Sequence, residues 1–252
     1  MSKVPAAENT LRILNHLAGQ RGPVPAASIA TALTLPRSTH YHLLTVLGEH
    51  GFVLHFPEAH RYGLGVAAYE LSSAFSRQQP LSRLGRTIVA GLVDALGESG
   101  HVAVLHGRDV VYIVEERAPR RPRLVTEVGV RLPAHLTASG RALLASLPAG
   151  QLRALYPDRD AFEDRTGAGP RSYGELKRLV AEARERGYAT EDGDVTPGFA
   201  SVAVSVRDHA GWPAAGIAVT FPRESVPPGE WDALAERVRA AAAELSRRIR
   251  RS

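Results

Sequence analysis

Residues 37–49 combine closely spaced leucines with hydrogen-bonding side chains, a combination that suits a helix that reads DNA. At 100° per residue, the leucines at 43, 44 and 47 fall on one side of such a helix and would face a core. The opposite side carries the polar residues Ser38, Tyr41, His42 and Thr45, with Arg37 at the positive end of the helix dipole. Groups of this kind bond base edges and phosphates in the major groove. The pattern predicts a recognition helix, and the alternative is a solvated face in a small helical subdomain.

His40 does not fit the polar side of this helix. Its wheel angle places it beside the leucines, where a base contact would require the side chain to leave the core. We therefore predict that His40 is a core histidine whose hydrogen bonds are satisfied inside the protein.

The elements around this helix are typical of a winged helix-turn-helix. In order, they are helices at 8–20, 25–33 and 37–49, then strands at 52–56 and 61–64 joined by a turn at 57–60. Three helices followed by a hairpin place the second and third helices across a tight turn and add a wing beside them. The predicted DNA contacts are Arg37, Ser38, Thr39, Tyr41, His42, Thr45, His60 and Arg61.

The rest of the chain predicts an α+β fold with an antiparallel sheet and flanking helices. A linker helix at 66–80 separates a DNA-binding domain at 1–65 from a larger domain at 81–252. The elements predicted for the larger domain are a helix at 81–97, strands at 101–106, 110–115 and 124–128, helices at 138–146, 150–156 and 173–187, strands at 200–207 and 214–221, and a terminal helix at 228–250.

Composition excludes several classes of function. The 252 residues are 44% hydrophobic and 23% charged, which is ordinary for a globular protein with a real core. Cysteine is absent, so disulfides, thiolate metal sites and cysteine nucleophiles are excluded. The net charge of +5 favours a polyanionic partner without establishing one. No apolar stretch predicts a signal peptide or a membrane span, so we expect a cytoplasmic protein that binds no membrane. We also expect that it binds no metal and no cofactor.

Several segments resemble the IclR (isocitrate lyase regulator) family of bacterial transcriptional regulators. They are Leu11-Arg12-Ile13-Leu14, Leu35-Pro36-Arg37-Ser38-Thr39, Gly51-Phe52-Val53, Arg61-Tyr62-Gly63-Leu64-Gly65, and the long run from Gly129 to Ala145. The resemblance implies a repressor that binds double-stranded operator DNA under the control of a small organic effector. Because one recognition helix covers few base pairs, we expect a dimer, with the linker around Leu71 and Phe75 as one contact. The resemblance to this family also implies that two dimers pair to form a tetramer.

The resemblance also implies an effector site in the larger domain. Carried over by position, its residues are Ala138, Ser139, Glu191, Phe199, Ser201, Ala218 and Thr220. Main-chain N–H groups at the helix start near Ser139 suit an anion, and Phe199 adds an aromatic surface. We expect an effector with an apolar or aromatic part and one anionic group, such as a carboxylate or aromatic acid. The alternative for Glu191 is a solvated turn in the acidic run 191–194.

Three residues depart from the family pattern in the DNA-binding part, and one of them is Ala26, which replaces the customary hydroxyl residue at a helix N-cap. Thr34 stands where the family usually has a glycine in the turn, and His42 replaces a frequent arginine of the recognition helix. The departures are compatible with the fold, but because of them the operator sequence of other family members cannot be assumed for this protein.

A hydrolase of small molecules is the second hypothesis. His135 and Ser139, four residues apart, form the best local pair of base and nucleophile. Neither a nucleophile elbow nor a paired-histidine zinc motif surrounds them. The pattern therefore favours a regulator over an enzyme.

Overall fold

A computed structural model of the chain describes residues 4–20, 22–71, 80–119 and 121–250. Its contacts divide the chain into two compact units, Met1–Gln78 and Gln79–Ser252. The predicted linker helix is helical over residues 66–71, and its remainder, with Phe75, lies outside the described residues. Each unit has a hydrophobic core of its own.

The first unit is a winged helix-turn-helix. Its elements are α1 (Pro5–Ala18), β1 (Val24–Pro25), α2 (Ala26–Leu33), α3 (Arg37–Glu49), β2 (Val53–Phe56), β3 (Arg61–Leu64) and α4, of which residues 66–71 are described. The strands form a sheet in the order β1-β3-β2. The two-residue β1, which pairs Val24 with Tyr62, was not predicted because so short a strand has no alternation to detect.

Apolar side chains from all three helices build the core of this unit. Ile13 of α1 and Ile29 of α2 are completely buried, and Leu44 and Leu47 of α3 are 2% and 4% exposed. The leucine side predicted for residues 37–49 is therefore the side that packs. Its burial fixes which side chains α3 turns to solvent.

The second unit contains a six-stranded antiparallel sheet with helices on both faces. Its elements are α5 (Pro80–Leu96), β4 (Ser99–His106), β5 (Asp109–Glu116), β6 (Arg131–Pro133), α6 (Ala138–Ala145), α7 (Ala149–Leu155), α8 (Tyr173–Arg186), β7 (Ala189–Asp192), β8 (Phe199–Arg207), β9 (Pro213–Pro222) and α9 (Trp231–Ile249). The strand order is β6-β5-β4-β9-β8-β7. The predicted α+β class with an antiparallel sheet is confirmed.

Alternation along the central strands assigns each face of the sheet to different helices. Val102, Ile217 and Val219 join the core that contains α5 and α9. The opposite face carries small residues, including Ala203 and Ala218, against α6. The small side chains allow α6 to lie close to the sheet, where its N-terminus meets the strands that carry the candidate site.

Two strand predictions for this unit were wrong. Residues 124–128 are not a strand, because the edge of β5 pairs instead with β6, where Val110 lies opposite Leu132. The alternating Leu124 and Thr126 line a cavity rather than a sheet face. Conversely, residues 189–192 form β7, paired with β8 through Glu191 and Ser201, although their acidic residues favoured a turn.

Candidate DNA-reading surface and effector cavity

The polar side of α3 is open to solvent, as a recognition helix requires. Ser38, Tyr41, His42 and Thr45 are all exposed, and Thr39 is half-buried. The Thr45 hydroxyl donates to the Tyr41 carbonyl at 3.0 Å, which leaves its oxygen free to accept a further bond. The predicted contacts on this face are therefore accessible; the side chain of Arg37 is outside the description.

The two residues of the wing that were predicted to contact DNA, His60 and Arg61, have different surroundings. His60 is exposed in the turn between β2 and β3, with a backbone φ of 49°. Arg61 donates from Nη1 to the carbonyl of Pro23 at 3.1 Å, so its guanidinium also braces β3 against the segment before β1. The ring of His55 stacks on Tyr62 with centroids 4.5 Å apart. These contacts keep the wing hairpin rigid while its outer edge faces solvent.

The turn between α2 and α3 sets the angle of the recognition helix. Thr34 ends α2 in the left-handed conformation, with φ 53° and ψ 46°. Arg12 of α1 donates from Nη2 to the Leu33 carbonyl at 2.8 Å, and the Leu35 N–H donates to Ala30 at 3.0 Å. The family's usual glycine would adopt this conformation without strain, whereas a β-branched residue does not.

His40 is buried as predicted, with 1% exposure, and lies against the ring of Tyr41 at 4.3 Å between centroids. The hydrogen bonds predicted for its ring are not found. Neither ring nitrogen has a partner among the described residues. The expectation of a satisfied histidine was therefore wrong as far as the described residues show.

The seven residues expected at the effector site line one cavity in the second unit. They are Ala138, Ser139, Glu191, Phe199, Ser201, Ala218 and Thr220. Sequence reasoning missed five further lining residues with polar groups: His101, Tyr112, Thr126, Thr137 and Thr196. A histidine inside the predicted strand 101–106 was the available signal, since titratable groups are uncommon in such strands.

Glu191 organises the polar wall of the cavity. Its carboxylate accepts from Ser201 Oγ at 2.7 Å and from the Asp194 N–H at 3.2 Å. Ser201 Oγ lies 2.9 Å from Thr220 Oγ1, which extends the network across β9. Glu191 is only 4% exposed, and burial raises its pKa to about 7. The alternative of a solvated turn at this position was therefore wrong.

The start of α6 forms the opposite wall. Thr137 caps the helix, since its Oγ1 accepts from the Gly140 N–H at 2.9 Å. Ala138 and Ser139 occupy the first turn, where main-chain N–H groups lack partners within the helix and carry partial positive charge. Both residues line the cavity. An anionic group is therefore favoured at this end.

A buried ion pair joins α6 to the loop that follows β7. Arg141, 4% exposed, pairs with Asp194, 7% exposed. The same guanidinium donates to the carbonyls of His135 and Thr190, each at 2.8 Å. Because Asp194 also donates its N–H to Glu191, the pair fixes the polar wall relative to the helix start.

The hydrolase pair does not assemble. His135 Nε2 lies 2.9 Å from the carbonyl oxygen of Glu163, and its ring packs edge-on against Tyr156 and Phe162. No hydrogen bond joins His135 to Ser139 among the described residues, and His135 does not line the cavity. The geometry assigns His135 a packing role.

Two further findings concern the described part of the chain. No cluster of three or more histidine, aspartate or glutamate side chains there is arranged to hold a metal ion. None of the described helices combines the length and the apolar character needed to cross a bilayer.

Comparison with known families identifies the architecture. A model described as the C-terminal part of the bacterial transcriptional regulator IclR matches residues 74–247, and one described as the IclR helix-turn-helix domain matches residues 6–55. The chain belongs to the IclR family. The family prediction is thus confirmed, and the protein is a DNA-binding transcriptional regulator.

Individual IclR-family proteins match over most of their length. The glycerol operon regulatory protein of Streptomyces coelicolor is 30% identical, covering 86% of this chain and 84% of that protein. The transcriptional repressor IclR of Escherichia coli is 29% identical, covering 84% of this chain and 78% of that protein. A solved IclR homologue from Microbacterium hydrocarbonoxydans, described as complexed with 4-hydroxybenzoate, superposes with a TM-score of 0.84 at 21% identity, covering 98% of this chain and 100% of that one.

Proposed function

We propose that this IclR-family protein is a cytoplasmic repressor that binds duplex operator DNA through α3 and the wing. It releases or retains the operator according to a small carboxylic acid bound in the cavity beside the start of α6. The observation that carries this proposal is the assembly of all seven expected effector residues around one cavity, in a chain whose recognition helix exposes its polar side.

The cavity supports a carboxylic acid with an apolar body. Its lining combines apolar and aromatic side chains with a few polar groups, as is typical of sites for small organic molecules. The α6 N-terminus favours a carboxylate, and Phe199 and Tyr112 offer aromatic surface. Because the pKa of Glu191 is about 7, about half of its carboxyl groups are protonated at neutral pH and most are below it, and the protonated form can donate to a ligand oxygen. The 4-hydroxybenzoate complex of the Microbacterium homologue is of this chemical class.

A dimer is part of the proposal. The described turns of α4 expose Val66, Tyr69 and Leu71 by 69%, 72% and 60%, respectively. Large apolar side chains exposed together commonly mark contact surfaces. Two copies joined there would present two recognition helices to a two-fold operator, and two dimers would form a tetramer.

The DNA-reading proposal is tested by an electrophoretic shift with duplex DNA from upstream of the protein's own reading frame. Replacing Ser38 and His42 together by alanine should weaken binding at least tenfold, since a lost base contact costs about 1–3 kcal/mol. Thr31→Ala, at an exposed position of α2, should bind as the wild type does. Equal binding by wild type and double variant, or no binding by the wild type at low salt, would reject the proposal.

The effector proposal is tested with acetate, benzoate, phenylacetate and 4-hydroxybenzoate in a thermal-shift titration. An acid at 100 times its Kd should stabilise the protein by about 2.7 kcal/mol. Ser139→Trp should abolish the shift by filling the cavity from α6. If no acid in the set raises the melting temperature of the wild type, the proposed effector class is wrong.

A further inference from the structure

His101 occupies a place in the cavity wall that the expected site did not include. It lies on β4 opposite Ala218 of β9, and it is 1% exposed. The ring Nε2 is 2.7 Å from the hydroxyl oxygen of Thr126. The ring Nδ1 is buried and has no hydrogen-bond partner among the described residues. One side of the ring is therefore anchored, and the other lacks a partner.

An unpartnered nitrogen in a buried ring has an energetic cost. A buried polar group without a hydrogen bond destabilises a fold by about 1–3 kcal/mol, so such groups are rare unless something supplies the bond. His40 also has unpartnered nitrogens, but it lies in the core of the first unit and does not line the cavity that contains His101. His101 differs because its residue forms part of the wall of a cavity suited to a ligand.

The surroundings of His101 restrict its chemistry. Burial lowers its pKa to about 4, so the ring is neutral at physiological pH and has one donor and one acceptor nitrogen. Tyr112 packs edge-on against the ring at 5.6 Å, and Glu191 is a titratable carboxyl that lines the same cavity. When the Thr126 hydroxyl donates to Nε2, the ring proton is on Nδ1, and Nδ1 becomes a donor.

We propose that His101 is an effector-binding residue in the tautomer in which the Thr126 hydroxyl donates to Nε2, so that its Nδ1–H donates a hydrogen bond to an oxygen of the bound acid. The inference rests on the proposed function, because it assumes that the cavity takes an oxygen-bearing acid. It adds a specificity determinant: an acid whose oxygens cannot reach Nδ1 leaves this donor unpaired and binds more weakly.

Two substitutions separate the roles of the two ring nitrogens. The amide of asparagine lies near the position of Nδ1, whereas the amide of glutamine reaches the position of Nε2. His101→Asn therefore keeps a donor for the ligand, and His101→Gln keeps only the contact to Thr126. His209→Asn, in an exposed turn, is the matched control.

The test is calorimetric titration with whichever of acetate, benzoate, phenylacetate and 4-hydroxybenzoate binds the wild type most tightly. We expect His101→Gln to raise Kd about tenfold or more, since hydrogen bonds to charged groups are the stronger ones, and His101→Asn to stay within about threefold of the wild type. Equal effects of both substitutions, large or small, would overturn the inference while leaving the cavity as the effector site. If the wild type binds none of the acids, the proposed function and this inference fail together.

A measurement on the wild type makes the test independent of the folding of the variants. Long-range ¹H–¹⁵N spectra report the protonation and hydrogen bonding of each histidine nitrogen. Addition of the acid should shift the Nδ1 resonance of His101 and leave the ring neutral. A bound acid that leaves this resonance unmoved would contradict the proposal.

Discussion

Glu191 places an ionisable carboxyl inside a cavity without a cation bonded to it. Its two oxygens accept from Ser201 and from the main chain of Asp194, and the nearby Arg141 is itself paired with Asp194. Desolvation is therefore the main cause of its raised pKa, and the bond from Ser201 opposes the shift only in part. A buried carboxyl with a raised pKa lowers the stability of the fold, and such groups are concentrated at binding sites.

The raised pKa predicts a stability penalty that depends on pH. The unfolded chain releases the Glu191 proton near pH 4.5 and the folded protein near pH 7, so wild-type stability falls as pH rises between these values and is level above them. Glu191→Gln cannot ionise and should lack this fall. Between pH 5 and pH 8, the wild type should lose about 2 kcal/mol more of its free energy of unfolding than the variant. Urea unfolding at both pH values measures the difference.

The exposed substitution Glu185→Gln serves as the control for this measurement and should follow the wild type at both pH values. Parallel pH profiles for the wild type and Glu191→Gln would mean that Glu191 ionises in the folded protein as it does in the unfolded chain.

At the scale of elements, the turn between α2 and α3 is a strained part of the DNA-reading surface. Thr34 has positive φ, and the left-handed conformation costs an L-residue about 1–2 kcal/mol. Thr34→Gly removes this strain, at the cost of a more flexible unfolded chain, and should raise the free energy of unfolding by about 1 kcal/mol. Thermal unfolding of the full chain, followed by hydrogen exchange in α2 and α3, measures the gain.

Thr31→Gly gives the matched comparison, because Thr31 is an exposed interior position of α2 with ordinary helical geometry. Glycine there should lower stability by a few tenths to about 1 kcal/mol. If the two glycine substitutions lower stability alike, the turn carries no strain that glycine relieves.

The elements that the sequence predicted well are those with strong periodicity. The leucine side of α3 and the long helices α5 and α9 needed only their apolar spacing. Residues 124–128 were assigned to a strand, but Leu124, Val125 and Thr126 line the cavity instead of pairing in the sheet. β7 was missed because Glu191 and Asp192 favour a turn locally, whereas its pairing with β8 is a tertiary contact.

The residues of the candidate site can also be divided into those that were predicted and those that were missed. The seven effector residues came from resemblance to the IclR family, since periodicity alone cannot bring α6 and β7 to β8 and β9 together at one cavity. His101 was overlooked because its role depends on Thr126, 25 residues away along the chain. The missing partners of His40 likewise depend on what packs around the ring, which its wheel position does not specify.

At the scale of the whole molecule, regulation requires that the two units communicate. The units have separate cores, so the coupling must be a difference in acid affinity between the forms that bind and do not bind DNA. Such coupling free energies are typically about 1–3 kcal/mol, or about 5–150-fold in affinity. The effect is reciprocal because both ligands act on one equilibrium.

This reciprocity gives a prediction for the intact protein. If an acid weakens operator binding about tenfold, saturating operator DNA must weaken binding of that acid by the same factor. Calorimetric titrations of the acid, with and without the duplex, measure one factor, and shift assays with and without the acid measure the other. An acid with a Kd that the operator leaves unchanged would occupy the cavity without regulating DNA binding, and control of the operator would then have to originate elsewhere in the chain.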